Sequence, residues 1–130
     1  MPDHRILIVD DNLMSRKITA QHLAAIGFTR IAPVASAAEA EQRLIESHAR
    51  GEPFHLVLLD WHMPGEDGVK FLAKCRADER FKSVPIIMQT VENEPRKIDQ
   101  AMLSGATSYI VKPASFADIK KRIIQVLQLN

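Results

Sequence analysis

The stretch Leu56–Gly68, LVLLDWHMPGEDG, decides the fold of this chain. It begins with four consecutive apolar residues, Leu56–Leu59, which are followed by a carboxylate, Asp60, and then by the turn-forming residues Pro64 and Gly65. A continuous apolar run, unlike an alternating one, is typical of a strand that is buried on both faces of a parallel sheet. We therefore predict a central parallel strand that is followed directly by Asp60.

Similar short apolar runs, rich in β-branched residues, occur elsewhere in the chain. They are Ile6–Val9, Val84–Met88 and Tyr109–Val111. A weaker candidate, Ile31–Ala35, contains Pro33, which has no N–H to donate to a neighbouring strand. We predict this strand at a sheet edge. The sequence thus predicts five strands.

Amphipathic segments with capping residues separate these strands. Ser36 and Glu39 have the spacing of a capping box, and Gly27 stands where another segment would end as a helix. Strict alternation of strands and helices favours an open, doubly wound α/β sheet with helices on both faces, because five units are too few to close a (β/α)₈ barrel. The predicted helices cover residues 13–26, 37–49, 67–78, 95–104 and 116–128.

The composition indicates a small domain with almost no net charge. The chain has 130 residues, 46% of them hydrophobic, with 17 basic against 16 acidic residues and a net charge of +1. This length suits one core, and we predict a single domain over residues 1–130. A charge this close to zero gives no field that would attract nucleic acid or an acidic membrane, so neither is a predicted partner.

The cysteine content and the N-terminus favour a cytoplasmic protein. Cys75 is the only cysteine, so it cannot form an internal disulfide, and one thiolate cannot build a zinc site. The run Ile6–Val9 is shorter than the apolar core of a signal peptide, and no segment approaches the roughly 20 apolar residues that cross a bilayer. We predict a cytoplasmic location without membrane contact.

Polar residues follow most of the predicted strands. Asp10 and Asp11 follow the first strand, Asp60 the third, and Lys112 the fifth, while Thr90 comes shortly after the fourth. In an open α/β sheet the carboxyl ends of parallel strands lie at one edge, and ligands bind there. We therefore expect these five side chains to converge at that edge.

Three carboxylates at one edge require a positive partner. Two carboxylates about 4 Å apart repel each other by about 4 kcal/mol at an effective dielectric constant of about 20. Mg²⁺ takes oxygen ligands and often binds one or two carboxylates together with phosphate oxygens. Asp10 and Asp11 are the predicted metal pair. When a phosphoryl group is present, Lys112 and the Thr90 hydroxyl can hold its oxygens, and Asp60 can form an aspartyl phosphate.

In this order the residues resemble the receiver domain of two-component response regulators. The resemblance covers essentially the whole chain and implies a flavodoxin-like (CheY-like) fold, a doubly wound five-stranded parallel sheet in the order 2-1-3-4-5 with five helices. This strand order comes from the resemblance and not from the spacing of the strands. The matching features are the pair Asp10-Asp11, the segment from Asp60 to Gly68, Thr90, Tyr109 and the pair Lys112-Pro113.

The resemblance also implies roles for the acidic residues. Asp60 is the implied acceptor of a phosphoryl group from a phosphohistidine of a histidine kinase or histidine phosphotransfer protein. Mg²⁺ is the implied cofactor, held directly by Asp11 and Asp60, mainly through water by Asp10, and by the backbone carbonyl of His62.

The resemblance further implies how the signal leaves the site. Lys112 and Thr90 are expected to hold the phosphoryl oxygens. Thr90 and Tyr109 are the implied switch, which changes the surface of the fourth helix, fifth strand and fifth helix, where a downstream protein binds. Phosphoryl transfer and hydrolysis are self-catalysed, so the resemblance implies a signalling switch and not an enzyme.

Some residues depart from this pattern or allow other interpretations. Family members usually have a very small residue after the switch hydroxyl, whereas this chain has Val91, and we predict that its branched side chain slows phosphorylation by small donors and slows hydrolysis. His62 lies two residues after Asp60, so an Asp/His site for a transition metal is an alternative, with no second histidine pair to complete it. The basic run Lys120–Arg122 is either a solvated helix face or a docking site for an acidic partner.

Other functions fit part of the same pattern. A receiver cut from a larger regulator or hybrid kinase would have the same sequence features, whereas the match along the whole chain favours a stand-alone protein. An aspartyl-phosphate phosphatase typically has a second Asp two residues after its acceptor and a cap, but this chain has His62 and no long insertion. An unphosphorylated interaction module is disfavoured because all the expected site residues are present.

Overall fold

The computed structural model describes residues 3–129. In this part of the chain five strands alternate with five helices. Four helices begin at a residue whose side-chain oxygen accepts a backbone N–H of the first turn: Asn12, Ser36, Asp67 and Ser115. The elements are β1 (Arg5–Val9), α1 (Leu13–Ile26), β2 (Arg30–Val34), α2 (Ala37–Ala49), β3 (Leu56–Leu59), α3 (Gly68–Ala77), β4 (Ile86–Thr90), α4 (Pro95–Leu103), β5 (Ser108–Val111) and α5 (Phe116–Leu127).

The five strands form one parallel sheet in the order β2-β1-β3-β4-β5. This confirms the order that the family resemblance implies, and it places β2, with Pro33, at an edge. Val9 of β1 is paired with Leu59 of β3, so these two strands end at the same level. The residues that follow β1 and β3 therefore meet at one edge of the sheet.

The core lies on both faces of the sheet, because alternate residues of a strand face opposite sides. In β3, Val57 and Leu59 pack with residues of α2, α3 and α4, whereas Leu56 and Leu58 pack with residues of α1 and α5. Burial on both faces explains why the strands are continuously apolar. It also fixes the register, since a slip by one residue would exchange the two faces.

Helix α1 packs against the sheet through a narrow and partly polar face. Thr19 and Leu23 are buried, whereas Leu13 and Ile18 are 58% and 45% exposed. Successive residues of a helix are rotated by about 100°, so Leu13 and Ile18 both lie well outside the stripe that Thr19 and Leu23 define. Leu13 and Ile18 would therefore indicate the wrong buried face for α1.

Strand β4 begins two residues later than the predicted run Val84–Met88. Pro85 has no N–H for the ladder, and the pairing with β3 starts at Ile86. The strand also ends later, at Thr90, because Gln89 and Thr90 pair with the last two residues of β5. These two residues, which the sequence placed beyond the strand, therefore lie inside it. Gln89 and Thr90, at the carboxyl end of β4, are thus more buried than the sequence predicted.

Gln89 is a buried polar residue that joins the sheet to α1. It is 7% exposed, and its amide donates to the hydroxyl Oγ1 of buried Thr19 at 3.3 Å. A buried polar group that loses its partner costs about 1–3 kcal/mol, whereas replacing both partners with apolar groups can be nearly neutral. The two residues should therefore tolerate joint replacement better than single replacement.

We expect Thr19→Val and Gln89→Leu each to lower the free energy of unfolding by about 1–2 kcal/mol, because each leaves one buried polar group unpaired. The double variant should lose less than the sum of the two single losses, since no unpaired group remains. Urea denaturation of all four proteins measures this. Additive losses in the double variant would show that the hydrogen bond does not couple the two side chains.

Candidate functional site

The residues that follow the strands are held at the carboxyl edge of the sheet by the backbone. The N–H of Asp60 donates to the carbonyl of Val9 at 2.9 Å, and the N–H of Lys112 donates to the carbonyl of Thr90 at 2.8 Å. These bonds continue the sheet ladder one residue past β3 and β5. The backbone of Asp60 and Lys112 is therefore hydrogen-bonded to the neighbouring strand in the same way as the strands themselves.

Three carboxylates converge at this edge, as predicted. Asp10, Asp11 and Asp60 each place an oxygen within 4.8 Å of the others. Asp10 is only 3% exposed, whereas Asp11 is exposed to solvent. This donor set consists entirely of carboxylate oxygens and opens to water at Asp11. It fits a hard divalent cation, which takes oxygen ligands and keeps several waters.

Lys112 lies among these carboxylates and neutralises part of their charge. Its Nζ donates to Oδ2 of Asp10 at 2.7 Å, to Oδ2 of Asp60 at 3.0 Å and to the Ser15 hydroxyl at 2.7 Å. An ammonium has three N–H donors, and all three are used. Lys112 therefore links the end of β5 to the ends of β1 and β3.

Burial shifts the pKa of each of the two groups, Asp10 and Lys112, in one direction, and the hydrogen bonds and charge contacts of that group together shift it further in the other. Burial alone would raise the pKa of Asp10, but hydrogen bonds from Lys112, from the Ser15 hydroxyl and from the backbone N–H of Asn12 hold that pKa below its usual value. Burial alone would lower the pKa of Lys112, but its contacts with the Asp10 and Asp60 carboxylates raise that pKa above its usual value. Both groups are charged at neutral pH.

The Asp60 carboxylate is oriented by two donors. Its Oδ1 accepts the backbone N–H of Trp61 at 2.6 Å, and its Oδ2 accepts from Lys112. The start of α3 is packed tightly behind it: the N–H of Gly68 donates to the carbonyl of Trp61 at 2.7 Å. A Cβ on Gly68 would lie 2.1 Å from the backbone oxygen of Asp60, so only glycine fits there.

Three contacts meet at Glu92, in the loop between β4 and α4. Its N–H donates to the Thr90 hydroxyl at 3.3 Å, and its carbonyl accepts the Tyr109 hydroxyl at 2.8 Å. Its carboxylate pairs with the His62 ring at 3.0 Å. Burial, followed by the charges of Glu92 and Asp60, raises the pKa of Tyr109 to about 12, so its phenol keeps the proton that it donates.

The position of His62 bears on the alternative of an Asp/His metal site. Its imidazole pairs with the carboxylate of Glu92. Among residues 3–129, the side chains close enough together to bind a metal ion are those of Asp10, Asp11 and Asp60, and His62 is not among them. Two residues of the site were not identified from the sequence, Ser15 and Glu92. Asn12 and Ser15 have the spacing of a helix cap, which would have placed Ser15 in the first turn after the acidic pair.

The family model of the response regulator receiver domain matches residues 6–124. The chain belongs to this family. Receiver domains are signalling proteins and not enzymes in the usual sense. Within residues 3–129 of this receiver domain, no helix is long and apolar enough to cross a bilayer.

Individual relatives match this receiver domain along nearly its whole length. The chemotaxis protein CheY of Pseudomonas aeruginosa is 34% identical over 124 residues, which are 95% of this chain and 96% of that protein. The structure of the chemotaxis protein CheY4 of Vibrio cholerae has a TM-score of 0.81 at 28% identity and covers 95% of this chain and 98% of its own.

A third comparison concerns the fold alone. The receiver domain of a sensor histidine kinase from Pseudomonas aeruginosa has a TM-score of 0.82 at 24% identity, over 96% of this chain and 98% of that one. The structure of that domain has a magnesium ion coordinated in its active site cleft. Receiver domains of this fold thus occur both as chemotaxis proteins and within a kinase.

Proposed function

We propose that this receiver domain is a phosphorylatable switch of a two-component system and that Asp60 is its phosphoryl acceptor. The observation that carries the proposal is the placement of the Asp60 carboxylate, 3.0 Å from the Lys112 ammonium and beside the carboxylates of Asp10 and Asp11. An ionised carboxylate is a nucleophile for phosphorus, and neighbouring cations offset the charge of an arriving phosphoryl group.

The phosphoryl group comes from a phosphohistidine on a histidine kinase or a histidine phosphotransfer protein. An oxygen of Asp60 bonds to phosphorus while the bond between phosphorus and the imidazole nitrogen breaks, and the imidazole leaves and takes up a proton from solvent. Lys112 donates to one phosphoryl oxygen and the Thr90 hydroxyl to another. Attack by water on the aspartyl phosphate later releases inorganic phosphate and restores the carboxylate.

Mg²⁺ is the cofactor that the donor set fits best, because Asp10, Asp11 and Asp60 offer only oxygen ligands. When bound, Mg²⁺ supplies positive charge that neutralises phosphoryl oxygens. Asp11 and Asp60 would hold it directly, Asp10 would hold it mainly through water, and the backbone carbonyl of His62 would add a further ligand. Lys112 supplies the remaining positive charge and keeps Asp10 and Asp60 from repelling each other.

Thr90 and Tyr109 transmit the conformational change that follows phosphorylation of Asp60 to the surface of the domain. Thr90 is fully buried, and its hydroxyl accepts from Glu92, whose carbonyl accepts from Tyr109. A Thr90 hydroxyl that turns to a phosphoryl oxygen gives up the contact with Glu92, and this disturbs the segment that Tyr109 holds. The two side chains are thus coupled through one loop residue.

A groove between α4 and α5 is the docking surface for the downstream protein. Tyr109 borders it, so the switch and the groove share a side chain. Lys121 and Arg122 on its α5 side favour a partner segment with acidic residues. The proposed partners are proteins, without nucleic acid or membrane contact, and the proposed receiver domain comprises residues 1–130. The groove between α4 and α5 is also lined by Ile98, Met102 and Val111.

The proposal is tested by incubating the chain with acetyl phosphate and MgCl₂ and recording its intact mass. We expect the mass to increase by one phosphoryl group, and we expect the increase to be lost when EDTA removes the metal. Trp61, the only tryptophan, should report the reaction by fluorescence, because it directly follows Asp60 and its backbone N–H donates to the Asp60 carboxylate. A chain that keeps its original mass with donor and Mg²⁺ would refute the proposal.

Val91 is expected to limit the reaction with small donors. It is the first residue after β4, adjoining Thr90, and its side chain is 65% exposed. We expect Val91→Ala to increase the rates of phosphorylation by acetyl phosphate and of hydrolysis by about two- to fivefold, because a smaller side chain widens the approach to Asp60. The time course of the intact mass gives both rates.

Leu103→Ala is the matched control, because Leu103 is an exposed apolar residue at the far end of α4. This variant should react at the wild-type rates. Unchanged rates in Val91→Ala, or equal increases in both variants, would show that the residue after Thr90 does not control access.

A further inference from the structure

Ser15 is the neutral member of the three groups that hold the Lys112 ammonium. The distance from Lys112 Nζ to Ser15 Oγ is 2.7 Å, as short as the distance to Asp10 and shorter than the 3.0 Å to Asp60. The Ser15 hydroxyl therefore contacts the cation as closely as the buried carboxylate does, although it carries no charge.

Ser15 is held rigidly relative to the acidic pair. It lies in the first turn of α1, and its backbone N–H donates to the side-chain carbonyl of Asn12 at 2.8 Å. The N–H of Asn12 in turn donates to Oδ1 of Asp10 at 2.9 Å, and Arg16 donates to the carbonyl of Asp10 at 2.7 Å. The backbone of Ser15 is thus held beside Asp10, the carboxylate that Lys112 also contacts.

The three contacts of Lys112 differ in what phosphorylation does to them. Conversion of Asp60 to the aspartyl phosphate changes the contact with Asp60, and a cation bound at the carboxylates competes for Asp10. The contact with Ser15 is made by a neutral hydroxyl, which neither receives the phosphoryl group nor belongs to the acidic cluster, although the same hydroxyl also hydrogen-bonds Asp10. Ser15 can therefore hold the flexible lysine side chain before and after transfer.

We propose that Ser15 is a positioning residue for phosphoryl transfer, which keeps the Lys112 ammonium beside Asp60 in the orientation that meets the phosphoryl group. This inference rests on the proposed function of Asp60 and adds to it a residue outside the acceptor, the metal cluster and the switch. Without the hydroxyl, the third N–H of Lys112 must turn to water, and the four-carbon chain gains freedom to move away from Asp60.

The test compares Ser15→Ala, Ser15→Thr and the matched control Ser36→Ala. Ser36 precedes α2 as its capping residue, and its hydroxyl accepts the N–H of Glu39 without contacting Lys112. With acetyl phosphate and saturating MgCl₂, we expect Ser15→Ala to be phosphorylated roughly tenfold more slowly than wild type. Ser15→Thr keeps a hydroxyl and should recover most of the rate, and Ser36→Ala should react as wild type.

A second measurement detects the contact between the Lys112 ammonium and the Ser15 hydroxyl directly. In ¹⁵N-labelled protein, the Lys112 ammonium should give an NMR signal that is protected from exchange with water in wild type and in Ser15→Thr. The signal should broaden or disappear in Ser15→Ala and stay unchanged in Ser36→Ala. A purely structural loss at the start of α1 would slow the reaction without this loss of protection.

The outcomes separate this inference from the proposed function. A wild-type chain that takes no phosphate overturns the function of Asp60 and, with it, the role of Ser15. If wild type is phosphorylated and Ser15→Ala reacts within twofold of its rate, only the role of Ser15 is overturned. A slow Ser15→Ala with an unchanged Lys112 signal, or without recovery in Ser15→Thr, also overturns it.

Discussion

Replacing Asp60 with Asn is expected to abolish covalent phosphorylation of the chain. The amide has no ionised oxygen to attack phosphorus, whereas its size and shape match those of the carboxylate. The Asn oxygen can still accept the backbone N–H of Trp61. The amide nitrogen cannot accept from Lys112, but Lys112 keeps its contacts with Asp10 and Ser15, so the fold should persist. Intact-mass measurement with acetyl phosphate and MgCl₂ should show the unmodified mass for Asp60→Asn and a phosphorylated species for wild type.

Asp67→Asn provides a control with the same chemical change in the same loop. Asp67 caps α3 by accepting the N–H of Lys70 at 2.9 Å, and Asn caps a helix about as well as Asp. This variant should be phosphorylated as wild type is. A phosphoryl group that remains on Asp60→Asn would place the acceptor on another residue and would contradict the assignment.

Replacing Gly68 with Ala is expected to be among the most destabilising single changes in the chain. The added Cβ would lie 2.1 Å from the carbonyl oxygen of Asp60 and 2.9 Å from the Cα of Trp61, and both are backbone atoms. Relief of such a clash requires either α3 or the Asp60 segment to shift. We expect the free energy of unfolding to fall by about 3 kcal/mol and phosphorylation of Asp60 to decrease as well.

Gly51→Ala separates this clash from the general effect of replacing a glycine. Gly51 has a φ of +72°, but an added Cβ would meet nothing within 4 Å. Its replacement should cost only about 1 kcal/mol, which is the cost of the left-handed backbone for a residue with a side chain. Denaturation in urea compares the two. Equal losses of unfolding free energy in the two variants would show that Gly68 is not packed tightly against the backbone of Asp60 and Trp61.

The buried strands were the part of the fold that the sequence specified best. Leu56–Leu59 forms β3, and Asp60 directly follows it, because a run that is apolar on both faces has one stable location in such a sheet. The convergence of Asp10, Asp11 and Lys112 with Asp60 followed from parallel strand ends meeting at one edge. The strand order itself came from the family resemblance, because strand spacing alone leaves several orders open.

Other features depended on contacts between distant segments, which periodicity does not encode. The shift of β4 by two residues follows from the pairing of Ile86 with Val57, and it buried Gln89 inside the sheet. The burial of Gln89 depends in turn on Thr19, which is far away along the chain. The contact between Lys112 and Ser15 likewise joins distant segments, the end of β5 and the first turn of α1.

The loop residue Glu92 has a consequence for how sequences of this type can diverge. Two of its three contacts, those with Thr90 and Tyr109, use backbone atoms that every residue except proline possesses. Only the contact with His62 depends on the carboxylate. Mutation at this position therefore changes the contact with His62 while leaving the backbone connection between Thr90 and Tyr109 in place, so the charge of this loop can vary without loss of that connection.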